Sequence, residues 1–191
     1  MKIEQCYEGA PLEDLYLPYR PKRRTRATVA REKGLEPLAA MLMRQDGARP
    51  DRLAERFVGG EVHDLQEALD GACDIIAEWV SESEAARSAM RRLFTREGVI
   101  SARVVKGKEQ EGAKYSDYFD WSEPLRRVAA HRLLAMVRAE REGFIKLSVL
   151  PDESAAVEQL ERIFIKRNPS PVRTLVEAAV RDGYKRLLKP S

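Results

Sequence analysis

From Leu65 to Phe94 the apolar residues recur in steps of three and four, and this spacing decides the fold class. Leu65, Leu69, Ala72, Ile75, Ile76, Trp79 and Val80 form one stripe, and Ala85, Ala89, Met90, Leu93 and Phe94 form a second. Such spacing gathers side chains on one face of an α-helix, whereas a strand would need strict alternation. Gly71 is a candidate interruption of the first helix. Ser81 and Glu84 stand three apart, the spacing of a capping box at the start of the second, and Gly98 is a natural stop.

Helical spacing continues on both sides. Gly34 closes a short helix and Pro37 opens another, where its missing N–H costs nothing. Leu38 and Leu42 share a face of that helix until Gly47. Pro50 and Asp51 begin a further short helix, with Leu53 and Phe57 four apart, and Gly59-Gly60 ends it. Residues 125–143 form a helix with Leu125, Val128, Leu133, Met136 and Val137 near one face, and 153–167 and 170–188 return to the same spacing. The stretch "GVISARVVKGK" fits a short strand or a helix, and "FIKLSVLPD" alternates loosely as a lone strand. The stretch "EGAKYSDYFDWSEP" reads as a loop with aromatic anchors. The expected fold is mostly all-α and multi-helical, with one or two short strands and a small lobe of helix-turn-helix-like shape. Three regions are expected: an extended, proline-containing arm over 1–26 packed on the body, a helical lobe over 27–110 and a second helical lobe over 111–191.

A composition of 43% hydrophobic and 34% charged residues suits a soluble, helix-rich chain. No apolar run approaches the roughly 20 residues of a membrane span, and "MKIEQCYEGAP" lacks the apolar core of a signal peptide. Cys6 and Cys73 are far apart, and His63 and His131 are equally isolated. A disulfide framework or zinc site is therefore not expected, no cofactor is implied, and the cytoplasm is the natural setting.

Charge is unevenly distributed. Between Arg20 and Lys33 seven cations (Arg20, Lys22, Arg23, Arg24, Arg26, Arg31 and Lys33) face one acid, Glu32, giving +6 in a chain of net +3. Pro18 and Pro21 hold the front of this window extended. Between Asp51 and Glu84 ten acids face two arginines. The basic window has two readings. Its cations contact the phosphate backbone of RNA or DNA weakly and without sequence preference, with Tyr16 and Tyr19 available for stacking, or they pair with the acidic 51–84 face of the same chain. His131 and Arg132 form a further candidate phosphate contact. A DNA-reading helix-turn-helix over 37–80 is disfavoured, because its third helix is acidic.

Catalysis has little to rest on. No GxxxxGK[ST], GxGxxG or GxSxG motif is present. Asp117 and Asp120 stand three apart, as a magnesium pair would, but acids at that spacing are common as turn and cap residues. The expectation is a non-enzyme without catalytic or metal-binding residues.

Four stretches resemble the Tex family of bacterial transcription accessory proteins: "DLYLPYRPKRRTRATVAREKGLEPLA" (14–39), "GAKYSDYFDWSEPL" (112–125), "HRLLAMVRAEREG" (131–143) and "YKRLLKPS" (184–191). Their order and spread cover nearly the whole chain. The chain departs from the family pattern at Ala129-Ala130, where Pro-Ser is usual, and at Ala139, where Gly is usual. The resemblance implies a mostly helical fold, similar to the core of a eukaryotic transcription elongation factor that also chaperones histones. It implies that the chain is a fragment of a longer protein with an RNase-H-like domain, helix-hairpin-helix motifs and an OB-fold RNA-binding domain. The implied role is a non-catalytic scaffold whose partners are nucleic acid and the remaining Tex domains. The alternative is a protein-binding module that recruits transcription machinery through its acidic helices.

Overall fold

The computed structural model describes residues 24–190, of which 63% are helical. Residues 1–23 lie outside the described residues, and with them nearly all of the expected arm, including Arg20, Lys22 and Arg23. The chain forms two compact units. The first takes residues up to Ala89 and returns from Val157; the second runs from Met90 to Ala156. The expected break at residue 110 lies within the second unit.

The first unit is organised by one long helix. Helix α1 spans Arg26–Glu32, α2 Glu36–Arg44, α3 Pro50–Ala54 and α4 Leu65–Glu82. After them, α5 covers Glu84–Glu97, α6 Ala130–Arg141, α7 Glu153–Phe164 and α8 Arg173–Asp182. Helix α4 packs against α1, α2, α3 and α8, and its Ala72, Ile75, Ile76 and Val80 are fully buried. It begins where Asp64 accepts the N–H of Glu67 at 2.8 Å, an N-cap that satisfies one of the free amides of the first turn.

Gly71 does not interrupt α4. A Cβ there would stand 2.4 Å from Leu35 Cδ1, so the glycine opens room for the turn between α1 and α2. That turn is a Schellman motif: Gly34 at φ +76° donates to Arg31 O at 2.9 Å, and Leu35 donates to Ala30 O at 3.1 Å. The serine that caps α5 is Ser83, whose Oγ accepts the N–H of Ala86 at 3.4 Å, not Ser81, which donates to Glu78 O. Helix α2 ends at Gln45, in the left-handed region at φ 48°. Its buried amide accepts from Lys166 N at 3.0 Å and donates to Phe164 O at 2.9 Å, closing the end of α7.

The second unit holds a three-stranded antiparallel sheet in the order β2-β1-β3. Strand β1 spans Val99–Val104, β2 Asp120–Pro124 and β3 Ile145–Leu150. The ambiguous "GVISARVV" stretch is thus a strand, and the loosely alternating one after Phe144 is its partner rather than a lone strand. A third strand emerges within the expected loop, after a short 3₁₀ segment over Ala113–Tyr118. Ile100 and Ala102 on the inner face join Tyr115, Met136, Ala139 and Ile145 in the core of this unit. Trp121 pairs with Ala102 and Glu123 with Ile100, so both lie on that same inner face, which α6 covers.

Candidate nucleic-acid interface

The basic window enters the described structure at Arg24 and continues as α1. Thr25 caps the helix by accepting the N–H of Thr28 at 3.1 Å. Ala27 and Ala30 are the buried positions of this short helix, and its cations therefore distribute around the remaining sides.

Their fates differ. Arg31 donates to Glu78 at 2.5 Å and lies 3.5 Å from Glu36. Glu78 is only 6% exposed and also accepts from Thr25 Oγ1 at 3.3 Å. Burial works against the Arg31 charge, but the Glu78 and Glu36 carboxylates together more than offset it and hold the guanidinium pKa above its ordinary value. Lys33 pairs with Glu67, and this contact, together with the His63 N–H at 2.7 Å, lowers the Glu67 pKa. Arg24 and Arg26 remain exposed at the start of the helix. Arg24 meets Glu32 at 2.9 Å, a pair open to solvent.

Between α1, the Leu35 turn and the first half of α4 lies a groove of about 490 Å³, in which Arg26 and Lys33 face Glu67, Asp70 and Asp74. Burial raises the Asp74 pKa, against the opposing pull of Arg186 and Arg26. Arg31 and Lys33 thus meet the acidic helix, whereas Arg24 forms only a solvent-exposed pair.

His131 and Arg132 open α6, where Ala129 caps without a side-chain hydrogen bond. The helix separates the two residues. His131 is exposed. Arg132 turns onto the sheet, 3.2 Å from Glu123, with its guanidinium 5.2 Å from the centre of the Trp121 ring. Trp121 Nε1 also donates to Glu123 at 3.1 Å, so Glu123 collects two donors. The alternation Trp-Ser-Glu is the sequence signal for this pair, since residues two apart share a strand face. Asp120 pairs with Arg103, and Asp117 is exposed. Among the described residues no group of three or more His, Cys, Asp or Glu is placed to hold a metal ion. No helix among them is long and apolar enough to cross a membrane.

These features define a mostly helical region with a small sheet, whose cationic helix leans on an acidic one. The chain belongs to the Tex family: residues 45–183 match the family described as Tex central region-like. It is 44% identical over 140 residues to Protein tex of Bordetella pertussis, covering 72% of this chain and 18% of that protein. It is 40% identical over 162 residues to the transcriptional accessory protein Tex of Neisseria gonorrhoeae, covering 84% of this chain and 21% of the relative. Protein YhgF of Escherichia coli is 46% identical over 152 residues, covering 78% of this chain and 20% of the relative. The chain thus spans about a fifth of the length of these relatives.

Proposed function

We propose that this chain is the non-catalytic helical scaffold of a Tex-like transcription accessory protein, and that the cations leading into α1 hold RNA or DNA weakly by its backbone. The supporting observation is the division within the basic window. Arg31 and Lys33 are engaged by Glu78 and Glu67, whereas Arg24 and Arg26 stand exposed at the start of α1, and Arg20, Lys22 and Arg23 precede them in the sequence. Phosphate contact accordingly falls to residues 20–26. Such contacts release counterions and carry no sequence information.

In this reading α2, α3 and α4 make a helix-turn-helix-like shape without reading DNA, because Asp64, which caps α4, and Asp70 on it repel phosphates. Arg132 is a structural clamp on the sheet, and His131 is at most an accessory contact. The partners are nucleic acid, the other domains of the longer relatives and proteins of the transcription machinery. The setting is cytoplasmic, and no cofactor is required.

The test is a variant with Lys22, Arg23, Arg24 and Arg26 replaced by Ala. The unaltered chain should bind RNA or DNA of any sequence with a Kd around 10⁻⁴ to 10⁻⁶ M, and the variant should bind every sequence more weakly. Unchanged binding together with a lowered melting temperature would show that these cations pair with the protein itself, and would refute the reading.

A further inference from the structure

The outward face of α6 carries a feature that the fold does not use. Met136 and Ala139 point to the sheet and are fully buried, with Leu133 packed beside them. Leu134, one position further round, is 70% exposed, more than any other large apolar side chain among the described residues. His131, Arg138 and Arg141 are exposed at helical spacing around it: His131 and Arg138 are seven apart, as are Leu134 and Arg141. The turn before the helix adds the exposed Arg126 and Arg127.

Two acids lie near this face, Glu140 on α6 and Glu142 just after it, and each has another partner. Glu140 accepts the N–H of Leu147 at 2.8 Å. Glu142 is held by Lys114 at 2.7 Å and reaches Arg138 only at 3.7 Å. Arg126, Arg127 and Arg141 form no ion pair with any described residue. On other helices the arrangement is different: Arg162, Arg173 and Arg186 each close on an acid four residues away at 2.6 or 2.7 Å.

An apolar knob ringed by cations has a specific complement. A phosphate backbone would satisfy the arginines and leave the leucine unused. An acidic peptide with one large apolar side chain satisfies both, placing an apolar anchor at the centre and complementary charge at the rim. We propose that this face of α6 docks an acidic amphipathic segment of another protein, its apolar side chain set on Leu134 and its carboxylates on Arg138 and Arg141. The proposal is independent of the backbone-contact reading, because α6 lies outside the basic window.

The probe is a fluorescein-labelled dodecapeptide of Glu and Asp around a central Phe-Leu pair, titrated with the 191-residue chain and followed by fluorescence anisotropy. Leu134→Ser and Arg138→Glu should each weaken binding about tenfold or more, in line with the loss of a buried leucine or a reversed charge. Both positions are exposed, and circular dichroism would confirm that the variants keep their helices. The same peptide with Ser-Ser in place of Phe-Leu should bind the unaltered chain about tenfold more weakly. Absence of peptide binding at low salt, equal affinity for the Ser-Ser peptide, or indifference to Leu134→Ser would each overturn the proposal. Displacement of the peptide by single-stranded RNA whose own affinity ignores Leu134→Ser would identify nucleic acid as the occupant and overturn it too.

Discussion

Replacing Gly183 by Ala should drive a methyl group into the main chain of α4. A Cβ at this position would lie 2.8 Å from Ala77 O and 3.3 Å from Ala77 Cα. The glycine has an ordinary helical φ of −56°, so its conformation would suit alanine and only space forbids it. Ala77 is fully buried on α4, and its carbonyl cannot retreat unless the helix moves. Two effects oppose each other. Alanine gains about 1 kcal/mol over glycine in a helix, and overpacking a close-packed contact costs about 1–3 kcal/mol. Because the obstacle is backbone, the cost should fall in the upper part of that range, leaving Gly183→Ala destabilised by about 1–2 kcal/mol. The melting temperature should drop by roughly 2–8 °C for a chain of this size, and urea unfolding followed by circular dichroism would measure the loss. Two double variants separate a side-chain obstacle from a backbone one. Gly71→Ala collides with a side chain, Leu35 Cδ1, so Leu35→Ala should relieve part of its cost. Ala77→Gly should relieve nothing at Gly183, since the opposing atom is a carbonyl oxygen. A Gly183→Ala protein as stable as the original would refute the close approach of these helices.

Three further outcomes follow from individual groups. Gln45→Ala removes both hydrogen bonds that close the end of α7 and should cost about 2 kcal/mol in urea unfolding; a loss within error would contradict their role. Burial raises the Asp74 pKa against the pull of Arg186. A carboxyl so raised contributes stability below its unfolded pKa and loses it as pH climbs through the folded value. Asp74→Asn should therefore gain on the original protein as pH rises through the carboxylate range, about pH 3 to 7, and a constant difference in urea midpoint would contradict this. Burial also pushes the Cys73 thiol up to about 12, so at roughly pH 8 iodoacetamide should label it at least about a hundredfold more slowly in the folded protein than in urea. Comparable rates in peptide mass spectrometry would refute the burial.

Periodicity makes the longest helices legible, because α4 and α5 each bury a stripe that needs no distant partner to be recognised. Glycine stops are equally plain where positive φ is required, as at Gly34, Gly59 and Gly60. Gly71 carries no such local signal: its purpose is to admit Leu35, and only the packing of the α1–α2 turn on α4 reveals it. Strand β2 is hidden for a related reason. Asp, Ser, Glu and Pro have low strand preference, and the segment is a strand because β1 offers it a ladder. The same applies to charge. The sequence contains both the basic window and the acidic helix, but the choice of Glu78 for Arg31, 47 residues away, depends on α1 lying against α4. His131 and Arg132 are neighbours in sequence that the helix sends in different directions.

Whether cations at the front of α1 meet phosphates is tested most directly by the salt dependence of binding. The association constant of the chain for a labelled duplex DNA should fall linearly on a double-logarithmic plot against salt concentration. Replacing Lys22, Arg23, Arg24 and Arg26 by Ala should weaken binding and flatten that slope by up to about 0.9 for each phosphate the variant no longer neutralises. A variant with the same slope and the same affinity as the unaltered chain would contradict the account.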